Sequence, residues 1–312
     1  MLRIVSKKGF AMGIDRQTIK LLMREGKRER YSGHILTIGR QDICPVTTQD
    51  FQKWAKEMDF QLKPVPKASS SDKKPIKSGY ITDLALFLSI GFNNIDSIDY
   101  SDFEQCTITH DLNKDVPVRL YNKYDLIFDG GTSEHIFNLP KVLENYNKML
   151  KVGGRIIHFL PSTNCVEHGL YMFSPTLFWS YYSVNNWEIK DSLFTKYSQY
   201  DSKGLMDVYK YTPGCLDKFS YGGLGKGIYY TFFVVKKTDK STCNASVQQG
   251  IYLKRWENAV NTENIKPETD NSWKKKIEAA FPERLRVILH LLYRFILLKI
   301  PLNFYLKVIG RY

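Results

Sequence analysis

Apolar and polar positions fall along the chain in blocks that read as buried strands alternating with one-sided helices. Tyr124-Asp125-Leu126-Ile127-Phe128-Asp129 is a short apolar run closed by an acid and two glycines, the pattern of a buried strand stopping at a tight turn. Leu139, Val142, Leu143, Tyr146, Met149 and Leu150 then recur on one face of a 3.6-residue period. That spacing predicts a helix, with Asn138 and Pro140 as start signals and Gly153 as its stop. A second apolar run, residues 155–160, predicts another buried strand. Strand, crossover helix and strand make a βαβ unit, whose parallel strands bring Asp129 and Pro161 to one rim. Open α/β sheets bind their ligands at that rim.

The same reading extends both ways. A helix is predicted over 16–24, a first strand over 34–39 ending at a glycine, and helices over 48–58 and 80–90, the latter stopped by Gly91. Between those helices the Lys/Pro/Ser-rich segment 63–77 is poor in apolar residues and predicts a loop. Strands over 95–99 and 107–111 each end in an acid, and late strands are predicted at 187–189 and 229–236. Strand ends at Gly39, Asp99, Asp111, Asp129 and Pro161 predict a doubly wound, mostly parallel sheet of the α/β class. Around it the organisation reads as a basic helical segment (1–33), an α/β domain (34–240) and a helical C-terminal extension (241–312). Apolar residues 281–300 are interrupted by Arg284, Arg286, His290, Arg294 and Lys299, so no uncharged run of ~18 residues remains for a spanning helix. Such a helix suits an anionic membrane surface, the main domain or the second subunit of a homodimer. Ser220-Tyr221-Gly222-Gly223-Leu224-Gly225-Lys226-Gly227 precedes a strand rather than a helix, which excludes a phosphate loop.

Bulk composition narrows the partners. With a net charge of +13 and 43% apolar residues in 312, the chain is globular and suited to acidic partners: nucleic acid, anionic lipid, or phosphorylated and nucleotide-linked substrates. Five scattered cysteines without a C-x-x-C pair suggest neither a zinc knuckle nor a disulfide framework. Together with an N-terminus lacking an apolar signal core, they make a cytoplasmic location the expectation, peripheral to the membrane if 281–300 touches lipid.

One acid at a strand tip is ordinarily a cap or turn former. A glycine after the first strand and acids after the next three have a mechanism of their own: a nucleoside lying across the rim offers ribose hydroxyls and an adenine amino group for carboxylates to accept. The order Ile38-Gly39, Asp99, Asp111, Asp129-Gly130-Gly131 and Leu150-Lys151-Val152-Gly153-Gly154-Arg155 resembles the seven-stranded, class I S-adenosylmethionine-dependent methyltransferases over about residues 34–237. The resemblance implies a seven-stranded sheet with helices on both faces and S-adenosylmethionine as cofactor. It places Gly39 beneath the cofactor's amino-acid tail, Asp99 at the ribose, Asp111 near adenine, and Asp129 with Gly130 on the floor near the methyl group. Thr37-Ile38-Gly39-Arg40-Gln41-Asp42 departs from the family's glycine-rich first motif, and Arg40 and Gln41 stand where its glycines are usual. Arg40 is then open to pairing with the cofactor carboxylate.

Methyl transfer to an alcohol needs alignment and a base. His168 is the preferred base, His135 the second, with Glu134 beside them; all follow the fourth and fifth strands and so converge on the rim. His168 and Tyr171 are the candidate acceptor-binding residues. Asp129, Glu134, His135 and His168 could collect a divalent cation, but spacing does not establish ligand geometry, and no metal is assigned. Asp129-Gly130-Gly131-Thr132 is not the Asn/Asp-Pro-Pro-aromatic turn of nucleic-acid amino-methyltransferases, so nucleic acid is disfavoured and a small-molecule or glycan-type acceptor favoured. Two rivals remain: an inactive methyltransferase-like binding protein, and a Rossmann oxidoreductase, the latter weakened by the absence of G-x-G-x-x-G.

Overall fold

The computed structural model describes residues 13–41, 43, 46–64, 80–197, 205–220, 222–250 and 252, and toward the C-terminus 282, 285, 288, 292, 302 and 306–312. Their strands are β1 (His34–Ile38), β2 (Asn94–Asp99), β3 (Ile108–Thr109), β4 (Tyr124–Asp129), β5 (Leu150–Thr163), β6 (Glu188–Tyr197), β7 (Met206–Lys210), β8 (Ile228–Lys236) and β9 (Val308–Arg311). They form one sheet in the order β3-β2-β1-β4-β5-β8-β6-β7-β9. Pairings from β3 through β5 are parallel, while β8 lies antiparallel between β5 and β6. The stretch from β3 to β6 is the seven-stranded, mostly parallel sheet expected, and β7 and β9 extend it.

Helices cover both faces. α4 (Leu139–Met149) and α5 (Pro175–Val184) pack into one buried cluster with Leu36, Ile38 and Ile156. On the other face α1 (Arg16–Arg28), α2 (Thr48–Glu57) and α3 (Asp83–Ile90) cover Ile35, Leu126, Phe128 and Ile157. Burial on both faces explains why the central strands read as continuous apolar runs. Side-chain caps start the helices where the sequence offers them: Asp15 for α1, Thr47 for α2, Thr82 for α3, Asn138 for α4 and Ser174 for α5.

The α4–β5 junction corrects the predicted stop at Gly153. The helix ends at Met149, and Leu150 pairs with Tyr124 as the first residue of β5. Lys237 Nζ takes the carbonyls of Asn147 and Leu150 at 2.6 and 2.8 Å, so a lysine from the end of β8 terminates the helix. Gly153, at φ +82°, serves inside the strand, beside a register shift between Tyr124 and Leu126. The third strand is shorter than predicted, which leaves Asp111 two residues beyond its end. Residues 1–12, 65–77 and most of 281–300 lie outside the described residues, and no described helix is long and apolar enough to cross a membrane.

Charge fastens α1 to the sheet. Asp191 of β6, almost fully buried, accepts Arg24 at 2.8 Å, Arg28 at 2.6 Å and Lys210 at 2.8 Å. Buried Arg155 of β5 reaches Glu25 at 3.1 Å and the Glu29 carbonyl at 3.0 Å. Burial acts to raise the Asp191 carboxyl, but the Lys210 hydrogen bond and the Arg24 and Arg28 charges outweigh it and hold the group below the usual carboxylate range. A depressed carboxyl contributes stability above its unfolded value, and the contribution is lost as pH falls through the folded one. Asp191→Ala should therefore cost about 2 kcal/mol at neutral pH, with the gap from the parent closing as pH falls past the ordinary carboxylate range and through the depressed folded value. Urea midpoints across that range measure it; equal midpoints at neutral pH would leave α1 held by its apolar face and Arg155.

Candidate functional site

Register brings the ends of three strands to one level. Ile38 of β1 stands opposite Ile98 of β2 and Asp129 of β4. Gly39 follows at φ +73°, and a Cβ there would lie 2.8 Å from Thr132 Oγ1 and 3.7 Å from Asp99 Oδ2, so the position needs glycine for both conformation and space. Thr132 Oγ1 donates to the Ile38 carbonyl at 2.7 Å, and Gln41 Nε2 donates to the same oxygen at 2.8 Å. Gln41 Oε1 is buried without a partner, 2.9 Å from where a Cβ on Gly130 would sit. Asp99 is half-buried; its Oδ1 accepts the Tyr100 amide at 2.6 Å while Oδ2 faces Gly39. Gly39, Gln41, Asp99, Gly130 and Thr132 thus meet.

Arg40 and Asp111 are engaged elsewhere. Arg40 forks onto Asp83 at the start of α3, with contacts of 2.9 and 3.0 Å, and reaches the Gln105 carbonyl at 3.3 Å. Asp111 accepts the side-chain and backbone amides of Asn113 at 2.9 and 3.0 Å, and these bonds, aided by Lys114, hold its carboxyl below the usual range.

Asp129 has no exposed surface and anchors a buried polar network. Its Oδ1 accepts the Ser133 amide at 3.3 Å, and its Oδ2 accepts Ser133 Oγ at 2.6 Å and His158 Nδ1 at 3.0 Å. With that nitrogen donating, His158 Nε2 accepts the Tyr182 hydroxyl at 2.6 Å, and Tyr146 meets Ser133 Oγ at 2.9 Å. Burial first, and then the Asp129 charge, push the Tyr146 hydroxyl well above its ordinary value; burial does the same for Tyr182.

Immediately after this network, the turn Ser133–His135 carries Glu134 and His135. Glu134 has 0% exposure and neither carboxylate oxygen has a hydrogen-bond partner. The loop after β5 is stapled over it: the Glu134 carbonyl accepts the amides of Leu170 at 2.7 Å and Tyr171 at 3.1 Å. A Cβ on Gly169 would lie 2.8 Å from Glu134 Cγ, so only glycine allows this approach. The staple sets His168 Nε2 3.4 Å from Glu134 Oε1, with His135 Nε2 at 3.9 Å and the two imidazoles edge to face at 5.2 Å. Tyr171 turns its hydroxyl to the Phe137 carbonyl at 2.6 Å, tying the loop back to the β4 side. Burial pushes the nearby Cys165 thiol up, and the Glu134 charge adds to the shift.

Sheet order runs 3-2-1 and then 4-5, reversing between β1 and β4, and the turns carrying Gly39 and Gly130 leave those two strands. The fold is Rossmann-like. In such a sheet the crevice at the reversal is the ligand position, and here it holds the Gly39–Asp99–Gln41 group. No family model and no curated protein matches the chain. Among solved structures it is similar to a 1,6-didemethyltoxoflavin-N1-methyltransferase from Burkholderia thailandensis bound to 1,6-didemethyltoxoflavin and S-adenosylhomocysteine, at 11% identity over 71% of this chain and 77% of that one, TM-score 0.35. TehB from Haemophilus influenzae gives 14% identity, 70% and 62% coverage and TM-score 0.38. A SAM-dependent methyltransferase from Archaeoglobus fulgidus gives 11%, 71% and 94%, and 0.36. At such distances the chemistry has to be read from this chain's own Rossmann-like rim.

The sequence pattern does not single out Thr132, Ser133, His158 or Gly169, and Tyr182 stands out only as one of several aromatics after β5. A histidine inside the apolar run of β5 was the one available signal, since a buried imidazole requires partners on both nitrogens. Asp129→Asn should destabilise the chain by about 1–3 kcal/mol, because the amide nitrogen meets the Ser133 or His158 donor and leaves it unpaired. Urea unfolding checks this; unchanged stability would show that the carboxylate is not the hub.

Proposed function

We propose that the chain is an S-adenosylmethionine-dependent methyltransferase that methylates a hydroxyl of a small-molecule or glycan-type acceptor, with His168 as general base. The observation that carries the reading is the adjacency of two groups on one rim: Gly39, Gln41 and Asp99 at the strand reversal, and Glu134 with His168 on the next two loops. Residues at the reversal fit the cofactor. Asp99 Oδ2 is available to ribose hydroxyls, Gly39 permits close backbone approach, and the orphaned Gln41 Oε1 offers an acceptor to the amino-acid end. S-adenosylmethionine, when bound, supplies a methyl group on a sulfonium leaving group.

His168 presents Nε2 to Glu134, which leaves Nδ1 for the acceptor. As the acceptor oxygen takes the methyl, Nδ1 takes its proton, and the Glu134 carboxylate stabilises the imidazolium that forms. The 3.4 Å contact is looser than a hydrogen bond, as is usual for catalytic contacts before substrate tightens them. Asp129, enclosed by its own donors, supports the floor through the backbone of the 129–133 turn. Exposed Phe137, Leu170 and Met172 stand on the loops after β4 and β5 and suit the apolar part of an acceptor.

A specific observation favours the second reading, an inactive methyltransferase-like binding protein. Gln41 stands in the space between Gly39 and Gly130, and Arg40 is spent on Asp83. Calorimetry separates the two. The full chain should bind S-adenosylmethionine and S-adenosylhomocysteine, and Asp99→Ala should weaken both about tenfold or more; binding of neither would leave the inactive reading. For the base, His168→Asn should abolish turnover in a methyl-transfer screen on cell extract with cofactor affinity retained, and undiminished turnover would remove His168 from the chemistry.

A further inference from the structure

We propose that Glu134, His135 and His168 form a binding site for one divalent transition metal of the zinc class. Their ligand atoms, one per residue, all lie within 4.8 Å of one another. Two ligands at ~2.0–2.1 Å from a tetrahedral metal stand roughly 3.4 Å apart. His168 Nε2 and Glu134 Oε1 already have that spacing at 3.4 Å, while His135 Nε2, 3.9 Å from Glu134 Oε1 in a trio spread over as much as 4.8 Å, has to swing inward. His135 is exposed on a short turn and has the freedom to make it.

Unmet demand points to a ligand independently of the spacing. Glu134 is fully buried with both oxygens unpartnered, and His168 Nε2 is buried and unpartnered as well. Among the described residues the ion-pair partners of Glu134 are these two imidazoles, with no lysine or arginine. A buried carboxylate in that position calls for a cation inside the site. Two imidazoles with one carboxylate select a zinc-like ion over Mg2+ or Ca2+, which take oxygen ligands. Three protein ligands leave a coordination position open. The surroundings hold the ligands in place: the Glu134 carbonyl grips the Leu170 and Tyr171 amides, and Gly169 closes on the Glu134 side chain.

The site stands without the methyl-transfer reading; one consequence rests on it. A cation on Nε2 keeps the His168 proton at Nδ1, so in the metal-loaded chain the base role would pass from His168 to the open metal position, where a bound oxygen loses its proton more readily than in water.

The test uses the full chain, stripped with a chelator, dialysed and titrated with Zn2+, Co2+ and Mg2+ in the absence of cofactor. Calorimetry should give one Zn2+ per chain, and Co2+ should develop the visible absorption of a low-coordinate nitrogen–oxygen site. Glu134→Gln and His135→Ala should each weaken uptake about 100-fold, with Mg2+ failing to compete. His135 is exposed, so its variant keeps the fold and remains informative if Glu134→Gln does not. Absence of Zn2+ uptake, or uptake unchanged in both variants, would overturn the proposal. Since no cofactor is present, either result leaves methyl transfer itself where calorimetry with S-adenosylmethionine puts it, and Zn2+ uptake moves only the base role away from His168.

Discussion

Asp129 is the constraint on which the rest of the structure depends. A carboxylate without solvent must be satisfied from within, and this one draws its donors from three directions: the turn after β4, β5 through His158 and, through His158, Tyr182 of α5. Tyr146 of α4 closes the set on Ser133. Networks of this kind are fully connected or costly, so two strands, two helices and the turn are fixed relative to one another. Glu134 is the residue after Ser133, and its placement is therefore inherited from a hydrogen-bond requirement one position away.

From that fixed turn the rim divides into two halves. At the reversal between β1 and β4, positive φ at Gly39 and absent side chains at Gly39 and Gly130 open backbone to a ligand, and Asp99 stands beside them. Toward β5, the Glu134 carbonyl pins the incoming loop and delivers His168 and Tyr171. The half proposed for the nucleoside and the half proposed for proton transfer then stand on the loops of neighbouring strands. Arg40 strengthens the first half in an unexpected way: its fork onto Asp83 clasps the loop after β1 to the start of α3, and a reach to Gln105 includes the loop after β2.

Much of the fold was legible because the central strands and α4 obey simple periodicities, and the predicted 124–129 strand coincides with β4. α5 escaped notice because Phe178, Trp179, Tyr181 and Tyr182 surround it with apolar surface, so no polar face marks the helix. β7 and β9 escaped because the strength of an added edge strand comes from long-range pairing, which no local pattern carries. Gly153 looked like a helix stop because the true one is the side chain of Lys237, distant in sequence. At the site, residue types were legible and partnerships were not. Nothing in Arg40 announces Asp83, and nothing in Asp129 announces His158.

Two acids five residues apart show what the structure adds. Asp129 and Glu134 have the same exposure, none, and both follow from the same strand. From the sequence both are rim candidates, Asp129 for the floor and Glu134 beside the histidines. Their hydrogen bonds separate them: Asp129 accepts three donors, whereas Glu134 accepts none and faces only two imidazoles. A satisfied buried carboxylate has spent its binding capacity on the fold and has little left for a ligand. An unsatisfied one keeps that capacity, and here a glycine, a turn and two backbone amides hold it in place. By this criterion the rim keeps its free binding capacity at Glu134 and its histidines, and Asp129 is the support that makes their position reproducible.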